Sequence, residues 1–328
     1  MTAIETATDT ATEPATVPTE PAAPTPAEPA VTAGPSIGTA RMADGTMLRT
    51  LRWSAPAKPW AVTEIVHGLG EHGGRYETVA AALTGAGIET WSYDHRGNGG
   101  SGGPRVYVER WSILHDDLEA RLAVLREMHP GLPLVLYGHS LGGLVATGYV
   151  LSEQKRLQPD LLVLSAPSLD ADIPGWKKTL AGVLTNVLPK MKLANGLPDG
   201  GLSRDPAVRT KADVDPLCSS SSTVRFGAEA FEEQDRLRAI LPTLTSMPVP
   251  TYVLHGSADP IVPVGATDVF VGMDNVTRDV HEGLRHECHH EPEREAVLAD
   301  VVAWIEANAA PAAGAARLVA GTPPTDAV

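Results

Sequence analysis

Residues 132–150 read LPLVLYGHSLGGLVATGYV, and the turn at their centre decides the fold. The run LPLVLY is short, continuous and apolar, as in a strand covered on both faces. The run LGGLVATGYV has helical character. Between them, Gly138-His139-Ser140-Leu141-Gly142 spells G-x-S-x-G. With a strand before it and a helix after it, this motif sets a serine on a strained turn with its Oγ raised above a sheet. The flanking glycines keep neighbouring backbone clear of the turn. An ordinary glycine-rich turn is the competing reading, and the strand–turn–helix context disfavours it.

Outward from this elbow, short apolar runs alternate with amphipathic stretches, the pattern of a largely parallel α/β sheet. Strands are expected at 47–53, 61–68, 88–94, 132–138, 160–166, 249–256 and 276–282. Helical patterns stand between and after them. One places Leu114, Leu118, Leu122 and Leu125 on a single face before a Pro-Gly break, and another repeats Val297, Val301 and Ile305. The alternation fails for about eighty residues between 166 and 249, where no β run is clear, which points to an inserted cap or lid. The expected organisation is an arm at 1–38, a core at 39–166 and 247–308, a cap at 167–246 and a flexible tail at 309–328. Within the cap, residues 176–197 carry Trp176, Leu180, Leu184, Leu188 and Met191 at helical spacing, with four lysines and no acids.

The arm is built from Ala, Thr, Pro and Glu, a composition that cannot bury enough apolar surface to offset its ordering entropy, so it reads as disordered and acidic. It lacks the basic and apolar regions of a secretory signal. No run is long enough to span a bilayer. Two cysteines, Cys218 and Cys288, suggest no disulfide framework. The expectation is a cytoplasmic protein, with peripheral contact to lipid surfaces through the cap. A net charge of −14 argues against nucleic-acid binding, and no obligate protein partner is indicated.

A serine needs a base to take its proton and a carboxylate to hold that base, in this fold class in the chain order Ser, Asp or Glu, His. Asp259 follows the apolar strand of VPTYVLHGSADPIVP, whereas Asp268 and Asp274 fall in the next helix or loop. A turn or capping role is the plain alternative for Asp259. Beyond the next strand comes RHECHHEP, residues 285–292, in which His286-Glu287-x-x-His290 matches the zinc signature H-E-x-x-H. That metal geometry needs both histidines on one face of a continuous helix. Pro292 disfavours it, because proline biases the residue before it away from the helical region and suits the first turn of a following helix. No metal and no cofactor are therefore expected. His286 is the best base, His281 the weaker candidate, and His290 is expected to face solvent.

The stretch HGLGEH, residues 67–72, follows a strand and resembles the loop that supplies one oxyanion N–H, the residue after the nucleophile supplying the other. The expected donors are the amides of Leu69 and Leu141, with His67 structural. The loop DHRGNGGSGG at 94–103 lacks the pattern of a phosphate-binding loop and reads as a turn-rich segment beside the site.

Taken together, HGLGEHGGRY, DHRGNGGSGG, YGHSLGGL, HGSADPIVP and RHECHHEPER, with LSRDP and DPLC in the cap, resemble the monoacylglycerol lipases, serine esterases of the α/β-hydrolase fold, over most of residues 39–308. The resemblance implies Ser140 as nucleophile, Asp259 as orienting acid and His286 as base, and a lid forming an acyl tunnel that touches membranes. It further implies that Glu71, Arg75 and His289 line the glycerol end of the pocket, although other members carry a different residue at the last position. The long arm departs from the family pattern. The implied reaction is hydrolysis of a lipid ester, a monoacylglycerol, to glycerol and fatty acid. A lysophospholipase or broad esterase on the same residues is the second reading, and a non-catalytic ligand-binding homologue the third.

Overall fold

The computed structural model describes residues 34–170 and 182–309. Expectations for the arm before residue 34, the tail after 309, and Trp176, Lys177, Lys178 and Leu180 of the cap lie outside the described residues.

A sheet of eight strands organises the described chain: β1 (Ser36–Arg41), β2 (Met47–Trp53), β3 (Ala61–Val66), β4 (Ile88–Tyr93), β5 (Leu134–His139), β6 (Leu161–Ser165), β9 (Thr251–Gly256) and β10 (Val276–His281). Their order is β1-β2-β4-β3-β5-β6-β9-β10, with β1–β2 and β2–β4 antiparallel and the remaining pairs parallel. This is the α/β-hydrolase arrangement expected above.

Period-two alternation divides the core between the two faces. Val62, Leu134, Leu136, Leu162 and Leu164 pack with α2 (Ser112–Met128) and α3 (Leu141–Val150), where Leu114, Leu118, Leu122, Leu125, Leu144 and Val145 are buried. Ile65, Val135, Tyr137, Leu161 and Val163 pack with α1 (Glu77–Gly85) and a C-terminal helix at Arg294–Asn308, through Val79, Leu83, Val297, Val301 and Ile305. The faces each helix was expected to bury are the ones it buries.

Two expectations are corrected. The ordered core begins before residue 39: β1 opens at Ser36 and pairs Ser36 with Arg52 and Gly38 with Thr50. Polar and exposed along most of its length, an edge strand of this kind gives no apolar run to read. The stretch between β6 and β9 is also not free of β structure, since β7 (Lys192–Ala194) and β8 (Ser221–Thr223) form a small antiparallel sheet. Strands of three residues are too short for periodicity to reveal. The same stretch holds α4 (Pro206–Val214), capped by the Asp205 carboxylate, and α5 (Val224–Ile240), whose cap is Thr223 accepting from the Phe226 amide at 3.2 Å. The C-terminal helix is α6, and Pro292 stands two residues ahead of it rather than in its first turn. Among the described residues no helix is long and apolar enough to cross a membrane.

Candidate active site

Ser140 joins β5 to α3 with φ 52° and ψ −116°, a left-handed conformation that non-glycine residues rarely adopt. Its backbone pays its own way here: N–H donates to Ser165 O at 2.9 Å, and the carbonyl accepts from Leu144 and Ser168. The tight turn depends on absent side chains. A Cβ on Gly142 would stand 2.0 Å from Val66 O, and one on Gly138 would stand 2.6 Å from Gly142 O. Both obstacles are backbone, which explains the two glycines of G-x-S-x-G in steric terms.

Asp259 sits just beyond β9 with its side chain wholly buried. Oδ1 accepts from the amides of Ile261 (2.7 Å) and Val262 (3.0 Å); Oδ2 accepts from His286 Nδ1 (2.7 Å) and His255 Nε2 (3.0 Å). Burial alone would raise this carboxyl. The bonds from His255, His286 and Val262 more than offset that and hold it well below the usual carboxylate range. Asp259 is thus an ionised acceptor, and the bond to it calls for a proton on His286 Nδ1. The competing residues are occupied elsewhere. Asp268 is exposed and pairs with Arg278, while His281 lies on β10 with Asp279 as its nearest carboxylate at 3.7 Å.

His286 approaches the elbow through His139, the residue before Ser140: their rings are 4.8 Å apart. Burial, then the neighbouring His286, lowers the His139 pKa to about 4, so this ring is a neutral spacer near neutral pH. Its Nδ1 lies 3.1 Å from both Ser165 O and Ser165 Oγ.

The loop after β3 passes directly over the elbow. A Cβ on Gly68 would lie 3.4 Å from the Ser140 Cβ, so the chain passes close to Ser140 just before Leu69. As the first residue of α3, Leu141 carries an amide with no intrahelical acceptor. His67 anchors this loop: Nδ1 is 2.8 Å from Gly68 O, and Nε2 accepts from the His95 amide at 2.9 Å. Its structural reading fits. Residues 94–103 fold around Asp94, which accepts from the amides of Gly73 (2.8 Å) and Gly100 (2.7 Å). The stretch between β6 and β9 meets the same loop. Ser219 N–H donates to Gly70 O at 2.7 Å, and His72 Nε2 meets Asp215 Oδ2 at 2.9 Å.

The structure revises RHECHHEP. Residues 288–290 form a single 3-10 turn, and Glu291 is extended before Pro292, so no continuous helix carries His286 and His290 on one face. Their Nδ1 atoms serve different carboxylates, Asp259 and Glu287. His290 does not face solvent freely; it is half-buried and ties Glu287 to the Arg75 carbonyl. His289 is wholly buried and stacks on Tyr76 with centroids 5.2 Å apart, so in this conformation it lines no open space. Glu71 is buried and pairs with the half-buried Arg75, which also binds Glu287. The sequence reading passed over His255, which faces Asp259 from four residues upstream in VLHGSAD; that i, i+4 relation was its one available signal.

Serine elbow, buried Asp–His pair and mixed sheet define a serine hydrolase of the α/β-hydrolase fold. Comparison with known proteins gives the family. The profile of Hydrolase_4, serine aminopeptidase S33, matches residues 57–293, and the chain belongs to that family. It is similar to the monoacylglycerol lipase of Mycolicibacterium smegmatis, at 31% identity over 77% of this chain and 90% of that protein. It is also similar to the human monoglyceride lipase, at 31% identity over 82% of this chain and 90% of that protein. The crystal structure of Paleococcus ferrophilus monoacylglycerol lipase superposes with a TM-score of 0.69, at 26% identity over 80% of this chain and 99% of that one. The chain is an enzyme acting on carboxylic esters.

Proposed function

We propose that the protein hydrolyses monoacylglycerols to glycerol and free fatty acid through an acyl-enzyme on Ser140. The observation that carries this reading is the bond from His286 Nδ1 to Asp259 at 2.7 Å beside the strained Ser140 turn, in a chain whose relatives include monoacylglycerol lipases. His286 takes the serine proton as Oγ attacks the ester carbonyl. The Leu69 and Leu141 amides stabilise the oxyanion, and the imidazolium returns the proton to the departing glycerol oxygen. The same histidine then activates water to release the fatty acid. Glu71 and Arg75 stand behind this machinery, at the end of the site where the resemblance puts glycerol.

The test is turnover on a panel of monoacylglycerols, diacylglycerols, lysophospholipids and short p-nitrophenyl esters. Monoacylglycerols are expected to give the highest kcat/KM. A preference for lysophospholipid would replace the substrate assignment while leaving the triad intact.

The cap is proposed to rest on lipid surfaces. Val183, Val187, Leu188 and Leu193 are exposed, with Lys190 and Lys192 between them. Apolar groups beside cations are the combination that partitions into an anionic interface. Serine at all four apolar positions is expected to abolish flotation with anionic vesicles; unchanged flotation would remove this surface from consideration.

A further inference from the structure

In H-E-x-x-H the glutamate would be a metal enzyme's base; here Glu287, the residue directly after His286, has other partners. It is buried, and Arg75 donates to it twice, Nη1 to Oε1 at 2.9 Å and Nη2 to Oε2 at 2.8 Å. The same Nη1 also donates to Glu71 Oε2. On the far side of Glu287, His290 Nδ1 lies 2.7 Å from Oε2, while His290 Nε2 lies 3.1 Å from the Arg75 carbonyl. The contacts run as one chain through Glu71, Arg75, Glu287 and His290.

The two ends of this chain are fastened to the two loops of the site, the one after β3 and the one that carries His286. Glu71 Oε1 accepts from the Gly68 amide at 2.5 Å and from the Tyr76 hydroxyl at 2.6 Å, which fixes the turn that presents Leu69. At the other end, Glu287 N–H donates to Leu202 O of the stretch between β6 and β9 at 2.7 Å, and its neighbour is His286. Burial would raise the Glu287 carboxyl, but Arg75 and His290 hold it well below the usual carboxylate range. Burial likewise opposes ionisation of Glu71, and Arg75 keeps it lowered. Both carboxylates therefore stay charged around one guanidinium, whose planar fork sets their geometry.

We propose that Glu287 is a positioning residue, which through Arg75 locks the His286 loop to the Gly68–Leu69 turn and so holds base and oxyanion donors in register. The inference rests on the Ser140–His286 reading. The charge of Glu287 also bears on the imidazolium that forms when His286 takes the serine proton. Asp259, just beyond β9, is bonded to that ring and His139 of β5 packs against it; the titratable and charged groups linked to these are His255 of β9, Glu71 and Arg75 from the loop after β3, and Glu287, His289 and His290 from the ring's own loop.

Glu287→Gln keeps the shape and removes the charge. Its kcat on a soluble p-nitrophenyl ester is expected to fall roughly ten- to a hundredfold, the effect of misplaced groups, with KM within about twofold. The acid limb of its kcat/KM profile is expected to move to lower pH, because a negative charge near the imidazolium is gone. Glu287→Asp, which restores the charge, should recover the limb and part of kcat. Ser140→Ala run alongside separates the two readings. If it is inactive while Glu287→Gln keeps wild-type kcat and pH limb, the positioning role alone is overturned; if it is active, the triad itself is wrong. Should Glu287→Gln not fold, Arg75→Lys keeps the cation but loses the fork, and is expected to lower kcat with the acid limb unmoved. Wild-type kcat in that variant would overturn the inference equally.

Discussion

Ser140→Ala is expected to lower kcat by roughly four to six orders of magnitude, the scale seen when a nucleophile that works as a unit with its base is removed. What survives would be the contribution of the oxyanion donors and of binding alone. The fold should be untouched. The elbow is held by the Ser140 backbone, through its amide to Ser165 O and its carbonyl to Leu144 and Ser168, and alanine keeps all three bonds. Alanine also adds no atom to the crowded turn and meets the same φ of 52°. Thermal unfolding should therefore move by no more than about 0.5 kcal/mol, the range of substitutions that break no structural feature. Monoacylglycerol turnover and covalent labelling by a fluorophosphonate would read the loss. Labelling retained in the alanine variant would place the nucleophile elsewhere.

What could be read from the sequence was whatever repeats or forces a turn. The central strands are legible because two covered faces demand continuous apolar runs, and G-x-S-x-G because a crowded turn demands glycine. Chain order singles out Asp259 and His286, each beyond the end of a readable strand, and the two side chains do meet. Contacts between segments far apart in sequence were not. Glu64 stands in the middle of β3, wholly buried, where an acid has no sequence-level excuse; only the fold brings Arg121 of α2 to within 3.0 Å of it. Glu287 and Arg75 are separated by 212 residues, and nothing local in RHECHHEP distinguishes a carboxylate that binds arginine from one that binds metal. His290, expected to face solvent, is held instead by Glu287 of its own loop and by the Arg75 carbonyl from the loop after β3, and the second of these is invisible locally. The edge strand β1 escapes because an exposed edge strand needs no apolar pattern.

Asp259→Asn tests whether orientation of the base, beyond its presence, matters. All four contacts of this carboxylate are acceptor contacts: two backbone amides on Oδ1, and His286 Nδ1 and His255 Nε2 on Oδ2. An amide has one oxygen to offer. If it faces Ile261 and Val262, the new NH2 points at two ring nitrogens that both carried protons. His286 must then give up its Nδ1 proton and hold Nε2–H instead, the tautomer that cannot receive a proton from Ser140. The expected cost in kcat is about 10⁴-fold, with KM little changed. Stability should fall too, by about 1–3 kcal/mol for buried donors left without an acceptor. That stability difference carries a pH signature of known sign. The folded carboxyl of Asp259 is depressed below its unfolded value, so its contribution is complete above the unfolded pKa of about 3.9 and drains away as pH falls towards the lower folded value. Unfolding curves of wild type and Asp259→Asn should stay separated at neutral pH and converge below about pH 4. A variant within tenfold of wild-type kcat would mean that His286 is oriented without Asp259, and curves that stay parallel into acid would mean that the carboxylate is not held ionised by the fold.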